Sequence, residues 1–395
     1  MADLKQNTWE LDQWYAQDVA GNVPYTGAPA LFGMGWNSKG QLGLNQNSDS
    51  DPGGAYSSPV QLPGTTWEFI SCFTAGDANH TLATKTDGTL WAFGYNNDGQ
   101  LGQNDGTYRS SPVQIPGTSW ATANLRLGQY QSATIKTDGT LWSWGFNSPS
   151  YGELGHNNKT TYSSPKQVGT ETTWDKLTTS QYAFMATKTD GTLWSWGGNQ
   201  WGKLGHNNTT NYSSPKQVGT STDWDQITGG SQFSAATKTD GTLWTWGVNE
   251  YGMLAMGNKT NYSSPRQVGT ENTWSKISCT NASMVAIKTD GTLWTWGFGG
   301  EGRLGLNQGE PSQYSSPVQI GTGTDWGNVI NQTPYSGVAT KTDGTLWVWG
   351  YNSFGNLGVN DVANRSSPIQ IPGNWNTADG KLGSNYIGLW AIANQ

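Results

Sequence analysis

The sequence predicts an all-β protein, a seven-bladed β-propeller that is closed by pairing of its N- and C-terminal strands in one blade. A Lys-Thr-Asp-Gly-Thr-Leu-Trp segment occurs six times, at intervals of roughly fifty residues. A Ser-Ser-Pro-x-Gln segment occurs seven times, and the missing copy of the first segment is divided between the two chain ends. Regular repeats of this length, each with about four short strands, are typical of propellers.

The Lys-Thr-Asp-Gly segment predicts a β-hairpin. In Lys238 to Gly247, Asp-Gly stands between two β-forming runs, and glycine tolerates the positive φ that such a turn requires. The turn explains the six repeated aspartates better than acid–base chemistry does. We expect the lysine and the aspartate of each hairpin to form an ion pair of little energetic value.

Alternation along the hairpin predicts how the blades pack. Trp142 and Trp144 point to one face, and Ser143 and Gly145 point to the other. We therefore expect the tryptophans of one blade to pack over the serine and glycine of the next. The chain has 23 tryptophans and only 34% hydrophobic residues, so its core is expected to be aromatic. The predicted blade-packing residues are Trp91, Trp142, Trp144, Trp194, Trp196, Trp244, Trp246, Trp294, Trp296, Trp347 and Trp349.

The remaining strands complete each unit and the ring. Proline belongs at a strand start or at a sheet edge, because it has no N–H for the ladder, and this places the Ser-Ser-Pro strand. Leu31 to Asn37 match the second half of a hairpin, and Ile387 to Gln395 match the strand that precedes one. Each end supplies what the other lacks, so residues 28–395 are predicted to form a closed ring and not a capped solenoid.

Residues 1–27 lie outside the repeat. They carry Trp9, Leu11, Trp14 and Tyr15 in a mostly polar context. Two interpretations are open. The segment is either a tail that folds back on the propeller, or an anchor that docks on a partner through those four side chains.

These units resemble the RCC1 (regulator of chromosome condensation) repeat. The resemblance is carried by Leu-Trp-x-Trp-Gly-x-Asn at Leu243 to Asn249 and by Gly-x-Leu-Gly at Gly202 to Gly205, and it covers residues 28–395. It implies the propeller fold and not a function. One copy departs from the pattern at Gly252 to Ala255, where we expect a changed loop in an intact blade. Uniform repeats of low charge are similar to the RCC1-repeat proteins of marine bacteriophages, which implies a place on the virion.

Composition argues against several classes of partner. Charged residues make up 12% of the chain and the net charge is −7, so we expect no nucleic-acid partner. No apolar stretch reaches about eighteen residues, so no membrane span is expected. The N-terminus lacks the apolar run of a signal peptide. Cys72 and Cys279 fall at matching points of different repeats, so no disulfide between them is expected.

No catalytic, cofactor or metal site is expected. His156 and His206 share one loop position in adjacent units, and no further ligand recurs nearby, which favours solvated loop histidines. His80 is expected to line the centre of the ring. No nucleophile–base grouping stands out.

The polar loops before the Ser-Ser-Pro strands are the candidate binding surface, because tyrosine offers contact area at low entropy cost. The alternative is that their tyrosines cover the strand below. The candidate binding-loop residues are Arg109, Tyr162, Tyr212, Tyr262, Tyr314 and Arg365.

We interpret the chain as a non-enzymatic binding or structural protein of a phage virion. It would be made in the cytoplasm without a signal peptide, and virion components or cell-surface glycans would be its partners. Three alternatives stay open: a carbohydrate-binding ring, an enzyme-inhibiting propeller, and a GTPase exchange factor, for which the regular spacing leaves little room for an insertion. A tryptophan-based ultraviolet sensor would need a Gly-Trp-Arg-His-Thr run, which the chain lacks.

Overall fold

A computed structural model describes residues 30–46, 55–71, 79–120, 124–308, 312–329, 335–373, 375–376, 378, 381–384 and 388–393. These residues form seven four-stranded antiparallel sheets arranged as a seven-bladed β-propeller, as the sequence predicts. Their one helical element is a 3₁₀ turn at Gly300–Gly302. The predicted anchor residues Trp9, Leu11, Trp14 and Tyr15 lie outside the described residues.

The strands are numbered in chain order. Blade 1 contains β1 (Leu31–Trp36), β2 (Ala55–Gln61), β27 (Leu382–Ser384) and β28 (Gly388–Ile392). Blade 2 contains β3 (Trp67–Ile70), β4 (His80–Lys85), β5 (Leu90–Gly94) and β6 (Arg109–Ile115). Blade 3 contains β7 (Leu125–Leu127), β8 (Gln131–Ile135), β9 (Leu141–Gly145) and β10 (Tyr162–Gln167). Blades 4 and 5 contain β11 (Trp174–Ser180), β12 (Ala183–Lys188), β13 (Leu193–Gly197) and β14 (Tyr212–Gln217); and β15 (Trp224–Gly229), β16 (Phe233–Lys238), β17 (Leu243–Gly247) and β18 (Tyr262–Gln267). Blades 6 and 7 contain β19 (Trp274–Cys279), β20 (Ser283–Lys288), β21 (Leu293–Phe298) and β22 (Gln313–Gln319); and β23 (Trp326–Val329), β24 (Ser336–Lys341), β25 (Leu346–Gly350) and β26 (Arg365–Ile371).

Each blade runs from a first strand at the ring's axis to the Ser-Ser-Pro strand at its outer edge. First strands of neighbouring blades contact one another, whereas the Ser-Ser-Pro strands pair on one side only. The Lys-Thr-Asp-Gly turns and the connections between blades lie at one end of the ring, which we call the hairpin face. The turns between first and second strands and the long loops that contain Gly-x-Leu-Gly lie at the other end, the loop face.

Ring closure by the chain ends is confirmed. β1 pairs with β28 over five residues, from Leu31 opposite Ile392 to Gly35 opposite Gly388. Blade 1 therefore takes its two outer strands from the start of the chain and its two inner strands from the end. The backbone N–H of Asn360 in blade 7 donates to the carbonyl of Ser57 in blade 1 (2.9 Å). This bond repeats at the outer edge the contact that joins every other pair of neighbouring blades.

Blade packing differs from the sequence prediction in one respect. Trp246 is fully buried, and its indole Nε1 donates to the carbonyl oxygen of Lys203 in the preceding blade (2.7 Å). A Cβ on Gly205 would lie 3.0 Å from that Nε1. The tryptophan thus packs on the Gly-x-Leu-Gly loop of the preceding blade, and not on the serine and glycine of a neighbouring hairpin. The equivalent bonds are Trp144 to Gln100, Trp296 to Met253 and Trp349 to Arg303.

The hairpin turn is fixed by a short chain of hydrogen bonds. The Oδ1 atom of Asp240 accepts from the backbone N–H (3.0 Å) and the hydroxyl (2.7 Å) of Thr242, and that hydroxyl accepts from Nε1 of Trp244 (2.9 Å). These bonds lower the pKa of the aspartate. All six hairpins repeat the arrangement, so the aspartates have the structural role expected of them.

The loop at Gly252 to Ala255 keeps the conformation of its neighbours. Asn249 Oδ1 accepts from the backbone N–H of Leu254 (2.9 Å), as Asn199 does from Leu204. Ala255 takes the glycine's left-handed conformation at φ 58°. The expected loop change is therefore wrong, because one strained alanine suffices to keep the loop.

Candidate functional site

The candidate binding-loop residues share one position, at the start of the Ser-Ser-Pro strand, and are engaged with their own loops. Arg109 donates to Asp105 Oδ2 (2.7 Å) and to the carbonyl of Thr107 (2.8 Å). Tyr162 accepts from Lys166 Nζ (2.7 Å), a bond that lowers the pKa of the phenol. Tyr212, Tyr262, Tyr314 and Arg365 occupy the same position. These contacts give the residues a role in loop structure, and recognition of a partner through them stays a prediction.

Aromatic side chains gather on the loop face. They stand at three loop positions: after the last glycine of the hairpin, in the turn before the second strand, and directly before Gly-x-Leu-Gly. All are at least partly exposed, and Trp201 is 48% exposed. We call this set the aromatic face; it comprises Trp36, Tyr95, Tyr130, Phe146, Tyr151, Tyr182, Trp201, Tyr251, Phe298, Tyr335, Tyr351 and Phe354.

The rings of the aromatic face pair across blade boundaries. Tyr151 of blade 3 stacks on Tyr182 of blade 4, with ring centroids 5.3 Å apart and an interplanar angle of 30°. Tyr251 of blade 5 lies 4.9 Å from Phe298 of blade 6. The sequence gives little indication of these contacts, because the members of a pair belong to different repeats. A visible hint is that aromatic residues recur at one position before Gly-x-Leu-Gly.

Beneath the aromatic face, the x residue of each Gly-x-Leu-Gly loop is buried. Blade 3 has Glu153 there, which accepts from Gln131 Nε2 (2.7 Å) and from the backbone N–H of Ser148 (2.9 Å). Burial raises the pKa of its carboxyl to about 7. Blade 4 has Lys203, which donates to the carbonyl of Gln181, and burial lowers the pKa of its amine to about 7. The full set is Gln41, Gln100, Glu153, Lys203, Met253, Arg303 and Asn356.

A small hollow opens on the aromatic face above Lys203. Tyr151, Tyr182 and Trp201 line it, and it is small, with a volume of about 30 Å³. Gln181, Gln200 and Gln232 complete its rim. Large rigid rings beside side-chain amides supply contact area together with hydrogen-bonding groups, which is the composition of a recognition surface.

On the hairpin face, each repeated lysine lies between two indole rings. Lys188 Nζ is 4.9 Å from the centroid of Trp174 and 3.8 Å from that of Trp194, and Glu171 forms a salt bridge with it (2.6 Å). The expected ion pair with the hairpin's own aspartate is wrong, because that aspartate is occupied by the threonine of the turn. Four lysines have such a carboxylate from the preceding loop: Lys188 with Glu171, Lys238 with Asp223, Lys288 with Glu271 and Lys341 with Asp325.

The histidines are buried or half-buried. His80 Nε2 is 3.0 Å from Ser132 Oγ of the next blade, and complete burial lowers the pKa of its ring to about 3. It lies at a blade junction and does not line the axis as expected. His156 packs on Tyr162, and burial lowers the pKa of its ring to about 4. His206 repeats this arrangement, so neither is the solvated histidine that the sequence favoured.

The described ranges contain no group of three or more His, Cys, Asp or Glu that could hold a metal ion. Within the same ranges, no helix is long and apolar enough to cross a membrane. Cys279 is buried with a free thiol, and Cys72 lies outside the described residues.

Comparison with known proteins identifies related sequences and structures. A model of the RCC1-like domain matches residues 23–333, and a model of the RCC1 repeat matches residues 343–378. The X-linked retinitis pigmentosa GTPase regulator of Canis lupus familiaris is 34% identical over 145 residues, which make up 36% of this chain and 14% of that protein. This chain therefore spans only a small part of that relative's length.

Two solved structures match over nearly the whole chain. Human WBSCR16 superposes with a TM-score of 0.78 at 19% identity, over 93% of this chain and 100% of that chain. Prp20p of Saccharomyces cerevisiae superposes with a TM-score of 0.78 at 17% identity, over 93% of this chain and 92% of that chain. At these identities the two structures support the fold alone.

Proposed function

Since this chain belongs to the family of RCC1-like domains, we propose that it is a non-enzymatic binding propeller whose aromatic face docks on a protein partner, and that this partner is a component of a phage virion. The family accommodates regulators and binding proteins on one scaffold, so the function has to come from the surfaces of this particular chain.

The aromatic face is the observation that carries the proposal. Residues that dominate protein–protein interfaces are tryptophan, tyrosine and arginine. Here Trp201 is 48% exposed, and the rings of Tyr151 and Tyr182 beside it stack on each other. A surface of ordered rings loses little conformational entropy on binding, which favours affinity.

The virion assignment rests on the resemblance to bacteriophage repeat proteins. The anchor segment, residues 1–27, would attach the ring to the particle through its hydrophobic residues, while the aromatic face docks on the partner component. The chain would reach the virion from the cytoplasm, where it is made.

Two kinds of variant test the binding face. Tyr151→Ala with Trp201→Ala should weaken binding to the purified particle by at least tenfold, because hot-spot aromatics contribute about 2 kcal/mol or more. Tyr212→Ala with Tyr262→Ala, at the outer loops, is the matched control and should leave binding unchanged. Equal losses in both double variants would contradict the choice of face. Circular dichroism of each variant checks that the propeller is folded.

The virion assignment has a separate test. Particles purified from the source culture on a density gradient should contain the chain by mass spectrometry, and deletion of residues 1–27 should abolish its incorporation while leaving the propeller folded. Absence of the chain from the particles would refute the virion assignment.

A glycan is the second candidate partner, because Trp201 stands beside Gln200 and Gln232, and an exposed ring flanked by amides also suits a sugar. A glycan array probed with the full chain distinguishes the two. Binding that is lost with Trp201→Ala would favour the glycan, and an array without signal would favour the protein.

A further inference from the structure

On the hairpin face, each repeated lysine and the two indole rings around it form what we call a lysine cage. The six cages can be compared with one another. In four of them, a carboxylate from the loop that precedes the blade reaches the amine at 2.6–3.1 Å. The lysine side chains in these cages are mostly buried, Lys188 being 9% exposed. The loops that supply the acid share the sequence Gly-Thr and end at the first tryptophan of the blade.

Two adjacent blades lack this carboxylate. Lys85 Nζ lies 4.9 Å from the ring of Trp67 and 4.3 Å from that of Trp91. Lys136 Nζ lies 3.9 Å and 4.3 Å from its two rings. The preceding loops read Pro-Gly-Thr-Thr and Pro-Gly-Thr-Ser and contain no acidic residue. Within the part of the chain that the structure describes, neither amine has a carboxylate within 4.0 Å.

We propose that the cages of Lys85 and Lys136 bind carboxylate side chains from the N-terminal segment of the same chain, in the position that a loop carboxylate takes in blades 4 to 7. A cage with its acid is the arrangement this fold uses four times, and the two cages without a loop acid belong to neighbouring blades. The four cages that contain a loop carboxylate therefore indicate that the ligand of the other two is also a carboxylate.

The path of the chain favours its own N-terminal segment as the occupant. The carbonyl of Ala30 accepts from the backbone N–H of Ala393 (3.0 Å), as the carbonyl of Thr89 accepts from that of Lys85 (3.0 Å). Ala30 thus stands at the hairpin face of blade 1, next to blade 2. The chain that precedes it lies outside the described residues, and the three acidic residues of its sequence nearest to Ala30 are Glu10, Asp12 and Asp18.

The length of the chain between Asp18 and Ala30 and the net charge of the protein also favour the N-terminal segment as the occupant of the two cages. The residues between Asp18 and Ala30 can span at most about 40 Å when extended, enough to reach the two neighbouring blades. A tethered segment has a high effective concentration, whereas a chain of net charge −7 repels a separate acidic partner. Trp9, Glu10, Leu11 and Asp12 alternate apolar and acidic residues. An extended backbone would put the acids on one side and the apolar residues on the other.

Zero-length cross-linking of the full chain with a carbodiimide tests the proposal. The reagent activates a carboxyl group, the lysine amine attacks it, and an amide forms with loss of one water, which converts the carbodiimide to a urea. Peptides that join Lys85 or Lys136 to Glu10, Asp12 or Asp18 are the expected products. The four loop pairs, such as Lys188 with Glu171, are built-in positive controls in the same sample.

A charge-neutral variant supplies the second measurement. Glu10→Gln with Asp12→Asn and Asp18→Asn should remove the new cross-links, leave the control cross-links in place, and raise the acetylation rate of Lys85 and Lys136 about fivefold. Control cross-links without any at Lys85 or Lys136 would overturn the proposal. Cross-links between ¹⁵N-labelled and unlabelled chains would overturn the assignment to the same chain. Neither result bears on the aromatic face, which lies at the other end of the ring.

Discussion

Replacement of the buried tryptophans by phenylalanine tests how the blades are joined. Trp246 donates its indole N–H to the carbonyl of Lys203 (2.7 Å), and Ser234 Oγ donates to the same oxygen (2.9 Å). Trp196, at the same position one blade earlier, is equally buried, but its Nε1 has no hydrogen-bond partner in the described structure. Trp→Phe therefore deletes the same atoms at both sites, but it breaks a hydrogen bond only at Trp246.

The expected free energies follow from this comparison. Trp→Phe leaves a similar cavity at both sites, worth about 1–2 kcal/mol. Trp246→Phe also loses one buried hydrogen bond, while the carbonyl keeps Ser234, so it should cost about 1 kcal/mol more than Trp196→Phe. Blade 6 has Met284 where blade 5 has Ser234, so Trp296→Phe removes the bond to Met253 with no hydroxyl to replace it. Its extra cost should reach about 1–3 kcal/mol.

Urea unfolding followed by circular dichroism and by tryptophan fluorescence measures the three variants, with equal m-values as the condition for comparing them. The predicted order of destabilisation is Trp196→Phe, then Trp246→Phe, then Trp296→Phe. Equal losses in all three would refute the view that the indole N–H joins neighbouring blades. In that case the rings would act through their area alone.

Two further predictions concern single sites. Glu153→Gln should be more stable than the parent by up to about 3 kcal/mol at pH 8 and show no such gain at pH 4. The reason is that the parent's folded carboxyl holds its proton to about pH 7, while the unfolded one ionises near 4.5. Urea unfolding midpoints of the two proteins from pH 4 to 8 measure the difference, and parallel curves would contradict the prediction. Ala255→Gly should raise stability by about 0.5–1 kcal/mol, because it relieves an alanine at φ 58°. Gly205→Ala, which builds a Cβ 3.0 Å from Trp246 at φ +81°, should lower it by about 1–3 kcal/mol; thermal unfolding compares the pair, and changes of equal sign would count against the strain argument.

The fold is readable from the sequence because every repeat states it again. The Asp-Gly turn fixes each hairpin, the alternation of Trp142 and Ser143 sets its faces, and the divided copy sets the ring closure. The loop on which each tryptophan packs cannot be predicted from the sequence. The alternation within the hairpin does not indicate which loop of a neighbouring blade has glycines where the indole ring approaches. That information lies in Gly205 and its equivalents, whose tight contact with the indole appears only when two blades meet.

The site is harder to predict, since its contacts join different repeats at shifting offsets. Tyr151 and Tyr182 lie in loops of separate blades. The acids of the lysine cages stand three residues before the first tryptophan at Glu171 and one residue before it at Asp223. A repeat-by-repeat alignment therefore does not reveal a common partner for the lysines, although the structure brings both acids to the same place.

Departures from the sevenfold pattern converge on the junction of blades 3 and 4. The Asn–Leu hydrogen bond that spans five residues in blade 2 spans seven in blade 3, from Asn147 to Leu154. At the same junction the indole of Trp196 has no acceptor. The longer loop carries Tyr151 and the buried Glu153, and the most exposed ring, Trp201, follows in the next loop. The features that all blades share are explained by ring closure and stability. The cluster of departures from the repeat on the aromatic face is therefore where we expect residues that were selected for binding a partner.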